Sequence, residues 1–264
     1  MTNVIASAAQ ALLTAYGGVP IAPLTETWPK LTSAQAYDIQ LRQVEHWTSQ
    51  GRLLRGHKVG LTSAVMQRQL GVDRPDYGHV FADMFHPESS PIVADQFISP
   101  KVEPEIAFVL RSTLQGPGVT AAAAVAAVDY VLPALEIIDS RIDDWRITLP
   151  DTIADNASSA GVVLGTRARR VDEIDLALSG CTLCLNDRPV ATGAGAAVLG
   201  SPLNALVWLA NTVGPLGISL EAGSVILPGS LTAAAPVTPG THVTASFGDM
   251  GSVTAKFISL EDNQ

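Results

Sequence analysis

Two acids one residue apart, Glu103 and Glu105, lie inside the run Lys101-Val102-Glu103-Pro104-Glu105-Ile106-Ala107-Phe108-Val109-Leu110. The run is rich in β-branched and aromatic residues, holds no glycine and follows a turn-like Ser99-Pro100, so it predicts a strand. Side chains alternate along a strand. Glu103 and Glu105 therefore share one face, and Val102, Pro104 and Ile106 take the other. Two carboxylates on one face of an apolar strand are costly to bury unless something pairs with them. A third acid, Glu136, sits in a second apolar run, Leu135-Glu136-Ile137-Ile138. One acid in a strand reads as a solvated face. Three acids in two buried-type strands favour oxygen ligands of a hard cation over the plainer alternative, glutamates on solvated faces.

Other residues invite chemistry less directly. Lys58 lies between Gly56 and Gly60 in Val/Leu-rich surroundings. Lysine is rarely buried unless paired. It is either a snorkelling surface residue or, if it faces the acids, their balancing charge, able to act as acid or base should burial lower its pKa. Ser158 and Ser159, in Asp155-Asn156-Ala157-Ser158-Ser159, make either a plain polar turn or donors to a substrate carboxylate; no G-x-S-x-G elbow marks them as nucleophiles. Cys181 and Cys184 have C-x-x-C spacing but no second ligand pair, and their flanks look like one continuous strand, which favours ordinary buried thiols. Gly193 to Gly200 misplaces the third glycine of a dinucleotide loop, and no acid follows at the usual distance. The five histidines do not fall at metal-ligand spacing.

The elements that must position these residues fall into two textures. Residues 3–16 are Ala/Leu-rich and predict a helix ended by Gly17-Gly18-Val19-Pro20. A second helix is expected from Thr32, where Gln35 completes a capping-box pattern, with Tyr37, Leu41, Val44 and Trp47 as its apolar stripe and Gly51 as its stop. We read 1–50 as a helical N-terminal part and 51–264 as a β-rich domain. In the latter, strands are expected at 56–63, 101–110, around Glu136, at 162–164, and near 224–227, 242–247 and 251–259. A hairpin is expected around Asn186-Asp187-Arg188, and short helices at 63–70 and 120–128. Ser201-Pro202 starts a further helix that runs to about Val213. By composition Pro75-Asp76-Tyr77-Gly78 is a turn.

Composition limits the function classes. A chain of 264 residues with 47% hydrophobic residues can bury a large core, and its net charge of −9 with scattered basic residues argues against nucleic-acid binding. The run read as most apolar, Val119 to Val128, is well short of the roughly 20 residues a membrane span needs, so no segment is expected to cross a membrane. No positive charge precedes the apolar stretch after Met1-Thr2-Asn3-Val4, and two cysteines are few; no signal peptide and a reducing, cytoplasmic setting are expected.

Five segments in order add a resemblance: His57-Lys58-Val59-Gly60-Leu61-Thr62-Ser63, Pro75-Asp76-Tyr77-Gly78, Pro100-Lys101-Val102-Glu103-Pro104-Glu105-Ile106-Ala107, Leu135-Glu136-Ile137-Ile138-Asp139-Ser140-Arg141 and Asp155-Asn156-Ala157-Ser158-Ser159. Together they resemble the hydratase/decarboxylase branch of the fumarylacetoacetate hydrolase superfamily, from about residue 30 to about 258. The resemblance implies an α+β fold, a β-rich mixed sandwich or roll with peripheral helices, and a homo-oligomer, commonly a pentamer or a pair of them. It implies Mg2+ or Mn2+ on Glu103, Glu105 and Glu136, with Lys58 and Asp76 as acid and base. Ser158, Ser159 and Ser230 would bind the substrate carboxylate or orient water. The reactions implied are hydration of 2-hydroxypenta-2,4-dienoate, in meta-cleavage degradation of aromatic compounds, or decarboxylation of 2-oxohex-3-enedioate; hydration of a longer 2-oxo-enedioate is a third. The segments Ser140 to Ile147, Gly200 to Asn211 and Val225 to Leu231 lean towards the first. A downstream aldolase or a decarboxylase homologue would be the protein partner. A non-catalytic assembly partner is the non-enzyme alternative, and retention of all three glutamates and Lys58 counts against it.

Overall fold

The computed structural model describes residues 2–263. Its strands in chain order are β1 (Leu54–Gly60), β2 (Asp76–Phe81), β3 (Phe85–His86), β4 (Ile92–Val93), β5 (Lys101–Leu110), β6 (Val128–Ile138) and β7 (Ser159–Leu164). Then follow β8 (Gly180–Leu185), β9 (Arg188–Ala194), β10 (Val225–Leu227), β11 (Ala235–Pro236), β12 (His242–Phe247) and β13 (Gly251–Ile258). The helices are α1 (Thr2–Ala15), α2 (Leu24–Thr27), α3 (Ser33–Ser49), α4 (Ala64–Leu70), α5 (Ala121–Ala127), α6 (Leu149–Ala154) and α7 (Pro202–Val213).

Strand alternation sets the layers. A large mixed sheet has the order β2-β1-β10-β5-β6-β7-β3, with β11 added to the end of β5, and a smaller one the order β4-β13-β12-β8-β9. Val102, Ile106 and Phe108 of β5 and Val131, Leu135 and Ile137 of β6 project to one side of the large sheet. There they meet the small sheet and α7 in the main apolar core. Each buried aliphatic side chain contributes about 1.5–3 kcal/mol. A one-residue slip of β5 would exchange these for the two glutamates, so the register is strongly fixed. The opposite face carries Glu103, Glu105 and Ala107 on β5 and Ala134 and Glu136 on β6. Ala107 and Ala134 are covered there by Trp47, Val80, Phe81 and Leu227.

The N-terminal helices pack on α6 through Leu12, Leu24, Ala36, Ile39 and Ile153. Thr32 caps α3 in a capping box with Gln35, as the sequence predicts. The stripe of α3 is rotated from the expected one. Its buried residues are Ala36, Ile39, Gln40, Gln43 and Trp47, whereas Tyr37, Leu41 and Val44 are half-buried. The two glutamines go inside because each amide donates to backbone of α6, Gln40 to Ile153 O at 2.7 Å and Gln43 to Ala154 O at 2.7 Å.

Two expectations need correction. Pro75–Gly78 is not a turn: Asp76, Tyr77 and Gly78 open β2, which is buried throughout and pairs antiparallel with β1. Gly78 is required for close approach instead, since a Cβ there would lie 2.3 Å from Asn156 O. The longest apolar helical run is Gly195–Leu216, not 119–128, and it is long and apolar enough to cross a membrane by length and composition. Its α-helical portion, α7, is only 12 residues and buries Ala205, Leu206, Leu209 and Val213 in the main core, the behaviour of a core helix. Cys181 and Cys184 lie on β8 as free thiols.

Candidate active site

The site forms where the acid face of the large sheet runs out from under its apolar cover. Glu103 pairs directly with Glu136 across β5 and β6, and Glu105 lies one pleat further along the same face. One carboxylate oxygen from each lies within 4.8 Å of the others. Glu105 and Glu136 are fully buried and Glu103 is half-buried, open to the cavity in front of it. Strand β10, which separates β1 from β5, stops at Leu227, and the chain turns at Gly229 with φ 123°. The Gly229 amide donates to Glu105 Oε2 at 2.7 Å. No side chain is tolerated at that turn, because a Cβ would lie 2.2 Å from Thr62 Oγ1.

Lys58 reaches this face from β1. Its Nζ donates to Ala157 O at 2.8 Å and lies 3.4 Å from Glu136 Oε2. Asp76 pairs across β1–β2 with Gly60, and its Oδ2 accepts from Thr152 Oγ1 at 3.2 Å. The segment 156–158 holds three consecutive left-handed residues, Asn156, Ala157 and Ser158, with φ of 55°, 51° and 55°. L-residues adopt that region at a cost, asparagine least among the three types. The turn is held by the Asn156 side chain, which accepts from His79 N at 2.8 Å and donates to His79 O at 2.9 Å. That turn aims the Ala157 carbonyl at Lys58.

The electrostatics follow from four carboxylates facing one ammonium in a buried place. Burial, then Glu136 and Glu103, pushes Glu105 well above the usual carboxylate range. Burial also raises Glu136, to about 7 against the pull of Lys58, and raises Glu103 and Asp76. Burial alone would lower Lys58, but Glu136, Asp76, Glu103 and Glu105 together outweigh it and hold the lysine above its ordinary value. The sequence-based condition of a lowered lysine pKa is thus reversed by the surrounding carboxylates.

Oxygen donors in such surplus suit a hard divalent cation. Among the described residues, Glu105 Oε1 and both Glu136 carboxylate oxygens are buried without a hydrogen-bond partner. A cation at this cluster would meet all three and offset the repulsion that raises their pKa values.

A cavity of about 350 Å3 opens over the cluster. It brings together Lys58, Asp76, Glu103, Ser158 and Ser230. Ser158 Oγ is buried and, among the described residues, free of hydrogen bonds, and Ser230 Oγ accepts weakly from Thr232 N at 3.3 Å. Ser159, also expected at the site, instead lines a separate cavity of about 200 Å3 with His86, Asp139 and Arg141. Sequence reasoning missed Thr152, Asn156 and the Gly229 amide. Only Asn156 carries a signal, as the residue type that best tolerates a left-handed turn.

The profile of the family described as fumarylacetoacetate (FAA) hydrolase C-terminal matches residues 57–258. The chain belongs to that family. Among curated relatives, the 2-keto-4-pentenoate hydratase of Paraburkholderia xenovorans (strain LB400) is 47% identical over 257 residues, covering 97% of this chain and 96% of that protein. The 2-oxo-hept-4-ene-1,7-dioate hydratase of Escherichia coli is 42% identical over 237 residues, covering 88% of this chain and 89% of that protein. Among solved structures, the 4-oxalocrotonate decarboxylase from Pseudomonas putida G7, complexed with magnesium and adipate, superposes with a TM-score of 0.93 at 36% identity, covering 97% of this chain and 98% of that one. The α+β, FAA hydrolase-type fold expected from the sequence is the fold observed.

Proposed function

We propose that the protein is a divalent-metal-dependent hydratase that converts 2-hydroxypenta-2,4-dienoate to 4-hydroxy-2-oxopentanoate in meta-cleavage degradation of aromatic compounds. The observation that carries this reading is the buried Glu103–Glu105–Glu136 cluster with charged Lys58 against it, in a chain 47% identical to a 2-keto-4-pentenoate hydratase over nearly its whole length. Glu103, Glu105 and Glu136 would hold Mg2+ or Mn2+, and the cation when bound supplies Lewis acidity towards a 2-oxo acid.

The remaining chemistry is assigned to the chain's own groups. Lys58, held protonated, donates a proton to C5 of the dienol while the 2-hydroxyl gives one up, leaving the conjugated 2-oxopent-3-enoate. Asp76, anchored by Thr152, takes a proton from the water that adds at C4, and a proton is returned to C3. One water enters and no other product leaves. Ser158 and Ser230 face the same cavity and orient the carboxylate or the water. Ser159, which opens β7 and lines the other cavity, is given no part in this step. The N-terminal helical part acts as a buttress for α6 and thereby for Thr152, and assembly as a homo-pentamer or decamer belongs to the same proposal.

Decarboxylation of 2-oxohex-3-enedioate is the second reading, favoured by the likeness to the decarboxylase structure. Product analysis separates the two. The Mg2+- or Mn2+-loaded protein is incubated with each substrate, and 4-hydroxy-2-oxo acid and CO2 are followed separately. Hydration of the dienoate without CO2 is expected. CO2 release from the dioate alone would overturn it, and no turnover of either would leave an assembly partner.

A further inference from the structure

Ser159 lines the second cavity, of about 200 Å3, and its surroundings there are those of a built site. The floor is polar. Ser159 Oγ is buried and, among the described residues, has no hydrogen-bond partner. Asp139 follows the Ile138 that pairs with Ser159 and is buried too, its Oδ2 accepting from Ile98 N at 2.9 Å and its Oδ1 from Ser99 N at 2.7 Å. Each of those oxygens keeps a second lone pair. The walls are rings. His86 lies over Gly161 of β7, where a Cβ would come within 3.2 Å of its Nε2, and meets Phe97 edge to face with centroids 6.5 Å apart. Tyr16 and Met84 close the rest. The Tyr16 ring is held by the Arg141 guanidinium at 4.4 Å and by Trp47 edge-on at 5.1 Å. The charges at the cavity are already engaged: Arg141 with Asp155, Arg52 with Asp83, and Asp139 with two backbone amides. Burial holds His86 below its ordinary pKa, so its ring adds none.

From this arrangement we propose that the second cavity is a small-molecule site in its own right and takes one neutral phenol. The phenol hydroxyl donates to the Asp139 carboxylate and accepts from Ser159 Oγ, which gives the buried serine its missing partner. The ring packs against His86, Phe97 and Tyr16 and against the Met84 thioether. A cavity of about 150 Å3 is already enough for benzene, so the volume suits a single ring. An anion is disfavoured, because both guanidinium groups are paired and Asp139 repels it. Ser158 and Ser159 are consecutive yet line different cavities, and Asp139 N donates to Ser158 O at 2.9 Å. The two sites therefore sit on opposite sides of one peptide unit, and a phenol in the second cavity takes no part in the reaction at the first.

Fluorine NMR titration of the Mg2+-loaded protein with 4-fluorophenol and with 4-fluorobenzoate tests this by binding alone. 4-Fluorophenol is expected to bind with a Kd of about 1 mM, in the range of ligands this small, and 4-fluorobenzoate at least about tenfold more weakly. Ser159→Ala, which removes a neutral hydrogen bond, and Phe97→Leu, which keeps an apolar wall without the ring, should each weaken the phenol about 2–10-fold. Ser158→Ala, on the other side of the peptide unit, should leave its affinity unchanged. No binding at about 10 mM would overturn the proposal. So would benzoate binding as tightly as the phenol, which would make this an anion site around Arg141, or an affinity unchanged in both Ser159→Ala and Phe97→Leu. A loss in Ser158→Ala alone would overturn it too, by placing the phenol in the active-site cavity. The hydratase reading can fail while these ratios hold, since none of them depends on turnover.

Discussion

Replacing Lys58 by methionine removes one charge while keeping the length of the side chain, and the site makes the consequences opposite for two properties. The ammonium and Glu136 form an ion pair whose side chains are 4% and 0% exposed. Removing one member of such a pair strands the other, at a cost of about 3–5 kcal/mol. The stranded charge here has company, since Asp76, Glu103 and Glu105 also act on Lys58 and depend on it. Metal-free Lys58→Met should therefore lose about 3–5 kcal/mol of stability in urea unfolding at about pH 8, where the carboxylates are most ionised. Saturating Mg2+ should restore most of that loss, because a divalent cation at the glutamates supplies the missing positive charge. Activity should not return with it. A positioned proton donor contributes about 10²–10⁴-fold, and turnover at saturating Mg2+ should stay down by that factor although stability has returned. Dienoate hydration measured beside urea curves, each with and without Mg2+, gives all four quantities. If Mg2+ leaves the stability loss untouched, the acids are not its ligands. If turnover survives the substitution, Lys58 is not the proton donor.

Much of this site was legible because strand alternation is a strict geometric rule. It put Glu103 and Glu105 on one face without any knowledge of the fold. Glu136 was legible as a buried-type acid, but its place opposite Glu103 is a matter of register between strands separated by a long connection. The Thr32–Gln35 cap and the Asn186-Asp187 hairpin were readable for a similar reason, since both are settled within a few residues of chain. Where distant segments decide, local reading failed. Pro75-Asp76-Tyr77-Gly78 has turn composition, yet its glycine answers to the Asn156 carbonyl pressed against it. Gln40 and Gln43 look like surface residues of α3 until α6 supplies carbonyls for them. Ser158 and Ser159 carried a warning that alternation could have given: adjacent residues entering a strand tend to face opposite ways, and these two line different cavities. The direction of the Lys58 shift was beyond sequence, since burial and the carboxylates act against one another and only the packed arrangement decides between them.

Two further outcomes test the same physics. Without metal, burial holds Glu136 at about 7 and Glu105 well above the usual range, so the folded chain binds protons that the unfolded chain does not between the ordinary carboxylate pKa and about 7. Metal-free stability should therefore fall as pH rises through that window. Mg2+, which must displace those protons, should bind more tightly at about pH 8 than at about pH 6 by titration calorimetry; equal affinities would contradict the assigned ligands. Asn156→Ala probes the turn that aims the Ala157 carbonyl. The substitution leaves His79 N–H and C=O buried without partners, at about 1–3 kcal/mol each, and places alanine in a left-handed conformation for about 1 kcal/mol more. A loss of about 3–7 kcal/mol in urea unfolding is expected. Turnover should fall in whatever folded protein remains, because Lys58 loses its aimed acceptor while keeping Glu136. A loss below about 1 kcal/mol would mean that the left-handed run is held by the strands around it and not by the asparagine.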